Sequence, residues 1–117
     1  MARLSTHVLD TARGVPAAGL HLDLHRLDPS GRVHVATAIT NADGRTAEPL
    51  LTGDTIDTGV YELTFHAGTY LRGVGVDLTE PPFLDEVVIR FGVASPTGAY
   101  HVPLLLSPYG YSTYRGS

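Results

Sequence analysis

Short runs in which apolar and polar residues alternate recur along the chain, separated by clusters of Gly, Pro, Asn and Asp. A period of two is what a strand with one buried face produces, so the pattern predicts an all-β sandwich. The first strand runs from Leu4 to Asp10, with Leu4, Thr6 and Val8 on one face and Ser5, His7 and Leu9 on the other. Leu20 to Leu27 is the second; its Leu20, Leu22 and Leu24 face a core while His21, Asp23 and His25 face away. A turn at Asp28-Pro29-Ser30-Gly31 leads into Val33 to Thr40, because proline pre-sets φ and glycine tolerates positive φ. Asn41-Ala42-Asp43-Gly44 is a second turn and delivers Arg45 at its exit. Val60 to Ala67 turns Tyr61, Leu63 and Phe65 inward, and Thr69 to Val74 forms one short helix. Pro81-Pro82 breaks the chain before Asp85 to Val93, and Ala99 to Leu106 and Tyr111 to Arg115 close it. The expectation is seven or eight strands in two antiparallel sheets, with edges that an oligomer covers.

Composition narrows the function. With 117 residues, 43% of them hydrophobic and 17% charged, residues 1–117 are expected to form a single folded domain. A net charge of −4, with eight arginines, no lysine and no basic run, argues against nucleic acid or an anionic membrane as partner. Cys is absent, which removes disulfides, thiolate metal sites and a cysteine nucleophile. No stretch is long and apolar enough to span a bilayer, and the expected location is the cytoplasm.

Candidate chemistry rests on the six histidines. His21 and His25 flank Asp23 on the polar face of a strand, where the spacing suits a metal but a solvent face is the simpler account. His34 and His66 read as solitary outward residues. His7 and His101 differ, because each interrupts an apolar run in which an imidazole needs a partner. The chain then ends on Tyr109-Gly110-Tyr111-Ser112-Thr113-Tyr114-Arg115-Gly116-Ser117, a composition for which a frayed tail has no use.

From end to end the chain resembles the 5-hydroxyisourate hydrolase branch of the transthyretin family. The segment from Tyr100-His101-Val102-Pro103 to Tyr114-Arg115-Gly116-Ser117 carries the closing signature of that branch. Leu4-Ser5-Thr6-His7-Val8-Leu9-Asp10 with Gly14-Val15-Pro16-Ala17 carries the opening one, and Thr40-Asn41-Ala42-Asp43-Gly44-Arg45 the middle one. The resemblance implies a transthyretin-like sandwich and hydrolysis of 5-hydroxyisourate in urate breakdown, with no cofactor. It places His7, Arg45, His101 and Ser117 in the catalytic set, with Arg45, Tyr114 and Ser117 against the substrate. It also implies a homotetramer whose channel forms where two dimers meet. One position departs from the family. Ala99 stands where a second histidine commonly helps to hold zinc, so no metal site is expected.

Opening such a ring needs an activated water, a stabilised oxyanion and a protonated leaving nitrogen. Two histidines suit the proton traffic and an arginine suits the carbonyls, although which histidine is the base is open at this point. The alternative from another class is a hormone carrier of the transthyretin type, which has lysine, glutamate and threonine at the places matched by His7, Arg45 and His101. A sandwich that serves only as an interaction module needs no buried histidine pair.

Overall fold

In the computed structural model, which describes residues Met1–Ser117, the alternating stretches become two sheets whose apolar faces meet. The first contains β1 (Ala2–Asp10), β2 (Val15–Pro16), β5 (Leu51–Gly53), β8 (Ala99–Ser107) and β9 (Gly110–Thr113). The second has the order β4-β3-β6-β7, made of β3 (His21–Asp28), β4 (Gly31–Ile39), β6 (Gly59–His66) and β7 (Glu86–Val93). Between them lie Leu4, Val8, Leu22, Leu24, Tyr61, Leu63, Phe65 and Leu104, all almost fully buried and all but Leu104 drawn from the strands whose alternation predicted the fold. Each such leucine, removed from water, contributes about 1.5–3 kcal/mol.

The sandwich departs from expectation in three respects. Nine strands are present, because β2 and β5 are two and three residues long and too short to show a period. Both lie along one edge of β1, β5 against Ala2–Leu4 and β2 against Leu9–Asp10. The sheets are not wholly antiparallel: β1 and β8 run parallel over eight paired residues, from Arg3↔Ala99 to Asp10↔Leu106. Finally, β9 ends at Thr113, so Tyr114 and Arg115 lie beyond it.

Helix α1 (Ala67–Gly73) follows β6 directly, starting two residues earlier than the pattern suggests. Tyr70 ties it to the first sheet by donating its hydroxyl to the buried carboxylate of Asp10 at 2.7 Å. Asp10 also accepts the backbone N–H of Arg13 at 3.1 Å, so its buried charge is partnered. No helix is long and apolar enough to cross a membrane.

Candidate active site

The parallel β1–β8 ladder decides which polar side chains meet. Its register sets Ser5 beside His101, and with period two it puts Arg3, Ser5 and His7 on the face of β1 turned away from the core. Leu4 and Val8 anchor the other face, so a slip of one residue would bury the polar set and is strongly opposed. Ser5 Oγ lies 2.9 Å from His101 Nδ1.

Arg45 arrives by the second turn. Asn41 Oδ1 accepts the backbone N–H groups of Asp43 and Arg45, and the Asn41 carbonyl accepts that of Gly44. Gly44 is required twice over: its φ is +75°, and a Cβ there would collide with the carbonyl oxygen of Val8. That close approach lets Val8 N–H donate to the Gly44 carbonyl at 2.8 Å and pairs His7 with Arg45 as an isolated bridge. His7 Nε2 lies 2.8 Å from the Asp43 carbonyl. A carbonyl only accepts, so Nε2 carries a proton and Nδ1 is the nitrogen left for chemistry.

The end of the chain closes the site. Gly116 pairs with His101 and donates its N–H to the His101 carbonyl at 2.8 Å. A Cβ on Gly116 would lie 2.5 Å from His101 Cδ2, so glycine is needed here for close approach to the imidazole. Positive φ is not the reason, since Gly116 is absent from the residues with that conformation.

A cavity of about 320 Å³ results, bordered by Arg3, Ser5, Arg45, Glu48, His101 and Ser117. Of the eight arginines, five are ion-paired and Arg115 stacks on the Tyr100 ring at 4.4 Å. The two that remain, Arg3 and Arg45, both border this cavity. Burial of the His101 ring, followed by the charges of Arg45, His7 and Arg3, holds its pKa below the usual imidazole value.

Of the sequence-predicted set, Arg45, His101 and Ser117 share the cavity, and His7 stands beside it through its bridge to Arg45. Tyr114 does not border it. It lines a neighbouring, more apolar hollow of about 260 Å³ with Ile89, Phe91 and Tyr100, beyond the end of β9 and toward β7, and His101 borders both hollows. Arg3 and Ser5 were not singled out from sequence, although their i, i+2, i+4 spacing with His7 was visible there.

The remaining histidines lie on the second sheet. His66 is not solitary: its Nε2 donates to Asp23 Oδ2 at 2.9 Å. Nor is His34, whose Nε2 donates to Thr37 Oγ1 at 2.8 Å while Thr37 donates on to Asp23 Oδ1 at 2.6 Å. The hydrogen bonds from His66 and Thr37 hold the Asp23 carboxyl at about 2. His25 sits edge-on to His34 with 5.3 Å between ring centres. Asp23 joins this network across strands through Thr37 and His66, and the network contributes nothing to the cavity around His101.

Comparison with known proteins gives the architecture its relatives. The profile of the HIUase/Transthyretin family matches residues 4–116. The chain belongs to the HIUase/Transthyretin family. A Mesorhizobium japonicum protein named 5-hydroxyisourate hydrolase is 64% identical over 115 residues, which cover 98% of this chain and 92% of that one. The structure of Klebsiella pneumoniae 5-hydroxyisourate hydrolase superposes with a TM-score of 0.82 at 33% identity, covering all of both chains. Sea bream transthyretin in complex with thyroxine superposes with a TM-score of 0.85 at 30% identity, over 97% of this chain and 94% of that one. Within the HIUase/Transthyretin family the sandwich thus serves both a hydrolase and a thyroxine-bound protein, and the side chains of the site must decide between them. The family match covers residues 4–116, and the structure places Arg3 and Ser117, one residue outside it at either end, at the cavity.

Proposed function

We propose that this chain hydrolyses 5-hydroxyisourate to 2-oxo-4-hydroxy-4-carboxy-5-ureidoimidazoline in urate breakdown, as a cytoplasmic enzyme of one domain. The observation that carries the reading is His101, half-buried beside two arginines that have no carboxylate partner, at a cavity the chain's own end helps to close. Its volume of about 320 Å³ lies within the range of roughly 300–1,000 Å³ typical of small-molecule sites. A thyroxine-type carrier has no use for such a polar constellation.

His101, kept neutral by burial and by the neighbouring guanidinium groups, takes a proton from water as the oxygen adds to a ring carbonyl. Arg45 faces the oxygen on which negative charge develops, and its fixed charge stabilises that oxyanion. The C–N bond then breaks, and the leaving nitrogen receives a proton from Nδ1 of a doubly protonated His7; the proton that His101 took from water replaces it and closes the cycle. The Asp43 carbonyl accepts the His7 Nε2 proton throughout, which keeps the ring oriented. Ser117 offers its hydroxyl to the substrate or the water. No step calls for a metal, and Ala99 offers no ligand on β8.

The central test generates 5-hydroxyisourate with uricase and follows the decay of its ultraviolet band with and without this protein, in the presence of a chelator. Acceleration that survives chelation supports the reading. Decay at the spontaneous rate, or activity restored only by zinc, counts against it.

The acid limb of the pH profile follows from His101. A base whose pKa lies below the usual imidazole value is fully active above that value, and its activity is lost as pH falls through the lowered one. The midpoint of kcat/KM on the acid side is therefore expected below about 6.5. A midpoint at or above that value would remove His101 from the role of base.

The active species is a homotetramer with twofold symmetry, in which the face of the first sheet that carries Arg3, Ser5 and His7 looks into a channel between dimers. The open cavity and the exposed strand edges support this assembly. Light scattering on the active protein should give four chains; an active monomer would refute it.

A further inference from the structure

The hydroxyl of Ser5 has one hydrogen-bond partner in the chain, His101 Nδ1 at 2.9 Å, and no other. Adjacent central strands hold both residues in register, so the contact is set by the backbone and does not depend on a flexible loop. From the other side the ring is confined by Gly116, whose backbone leaves no room for a Cβ against Cδ2. With Nδ1 engaged by Ser5, Nε2 is the nitrogen left without a partner.

A neutral imidazole has one proton, and the contact with Ser5 permits either polarity: Nδ1–H donating to the hydroxyl oxygen, or the hydroxyl donating to a bare Nδ1. The charges around the ring decide. Arg3 and Arg45 border the same cavity, where Glu48 is the one acidic side chain, and with His7 they disfavour positive charge on His101. An N–H presented to such a cavity turns the positive end of a dipole toward cations, whereas a lone pair presents the negative end.

We infer that Ser5 is a positioning residue for His101: its oxygen accepts the Nδ1 proton and so holds the imidazole in the tautomer whose Nε2 keeps a free lone pair. This rests on the reading that His101 takes the proton from water, and it names the atom, Nε2, that does so. The hydroxyl proton of Ser5 remains free to donate into the cavity that Ser5 also borders.

The test combines nitrogen spectroscopy with kinetics on the full-length protein, comparing wild type with Ser5→Ala and Ser5→Thr. In the 15N-labelled wild type, with His101 assigned by comparison with His101→Gln, Nδ1 should show the shift of a protonated ring nitrogen and Nε2 that of an unprotonated one. Ser5→Ala should average the two shifts, and Ser5→Thr, which keeps a hydroxyl, should restore them. In hydrolysis Ser5→Ala should lower kcat by roughly tenfold to a hundredfold with little change in KM, and Ser5→Thr should recover most of it. The acid limb discriminates further. Loss of an acceptor disfavours the imidazolium and moves the midpoint to lower pH, whereas loss of a donor would move it higher.

A protonated Nε2 in the wild type overturns the inference, and so does an unchanged His101 signature in Ser5→Ala, even if activity falls. If Ser5→Ala does not fold, the wild-type spectrum and Ser5→Thr still decide. A protein that fails to hydrolyse 5-hydroxyisourate sinks the proposed function, while its tautomer remains readable and settles the role of Ser5 separately.

Discussion

Replacing His101 with glutamine, or Arg45 with alanine, is expected to slow hydrolysis of 5-hydroxyisourate by roughly a hundredfold or more, the usual scale for an acid–base or oxyanion group. Glutamine fills a similar volume and keeps a polar atom near Ser5, so the fold should persist while the proton acceptor is lost. Arg45 is exposed at the exit of a turn that Asn41 and Gly44 hold, and truncating its side chain leaves those backbone bonds intact. The losses should therefore appear without a matching fall in the melting temperature. His7→Ala should cost a similar factor if, as proposed, Nδ1 of His7 gives the leaving nitrogen its proton. His21→Ala and His25→Ala provide the contrast, since both lie on the second sheet away from the cavity and should keep near-normal rates. Full activity in His101→Gln, or loss in His25→Ala, would relocate the chemistry to the wrong sheet.

The end of the chain should be as sensitive as the histidines. Chain termini are ordinarily mobile and tolerant of additions. Here Gly116 pairs with the His101 backbone and packs on its ring, and Ser117 borders the cavity. A tag fused after Ser117 places chain at the mouth of the site. Deleting Tyr114 to Ser117 removes the backbone donor to His101 and uncovers the imidazole. Either change is expected to cut activity far more than a tag before Met1. Stability should change little, because β9 ends at Thr113 and none of the four final residues is among the buried set. Gly116→Val offers a sharper version: its side chain must displace the His101 ring, so kcat should fall while size and melting hold. Equal rates for the two tagged forms and for Gly116→Val would reduce the terminus to a bystander.

Alternation along the chain was enough to locate the seven longer strands and to separate core from surface, because burial of one strand face imposes a period of two on any sequence that adopts it. Leu20, Leu22 and Leu24 are fully buried as their spacing demands, and His21 and Asp23 lie on the other face. The signature segments pointed to the family, and to His7, Arg45, His101 and Ser117. The short strands β2 and β5 were not legible, since two or three residues carry no period.

What the tertiary structure alone decided is which polar residues meet. Ser5 and His101 stand 96 positions apart, and only the parallel register of β1 with β8 makes them neighbours. The family resemblance put Tyr114 against the substrate, yet beyond the end of β9 it lines a neighbouring hollow that meets the cavity only at His101. His66 looked solitary because its partner Asp23 reaches it across strands, and His34 because Thr37, three residues along the same strand, is tied to Asp23 only across the β3–β4 pairing. Local alternation reports on which side of a sheet a residue lies, whereas the charge, the proton and the reach of a side chain depend on neighbours supplied by the rest of the chain. So the faces were written in the sequence, and the partners were chosen by the packing.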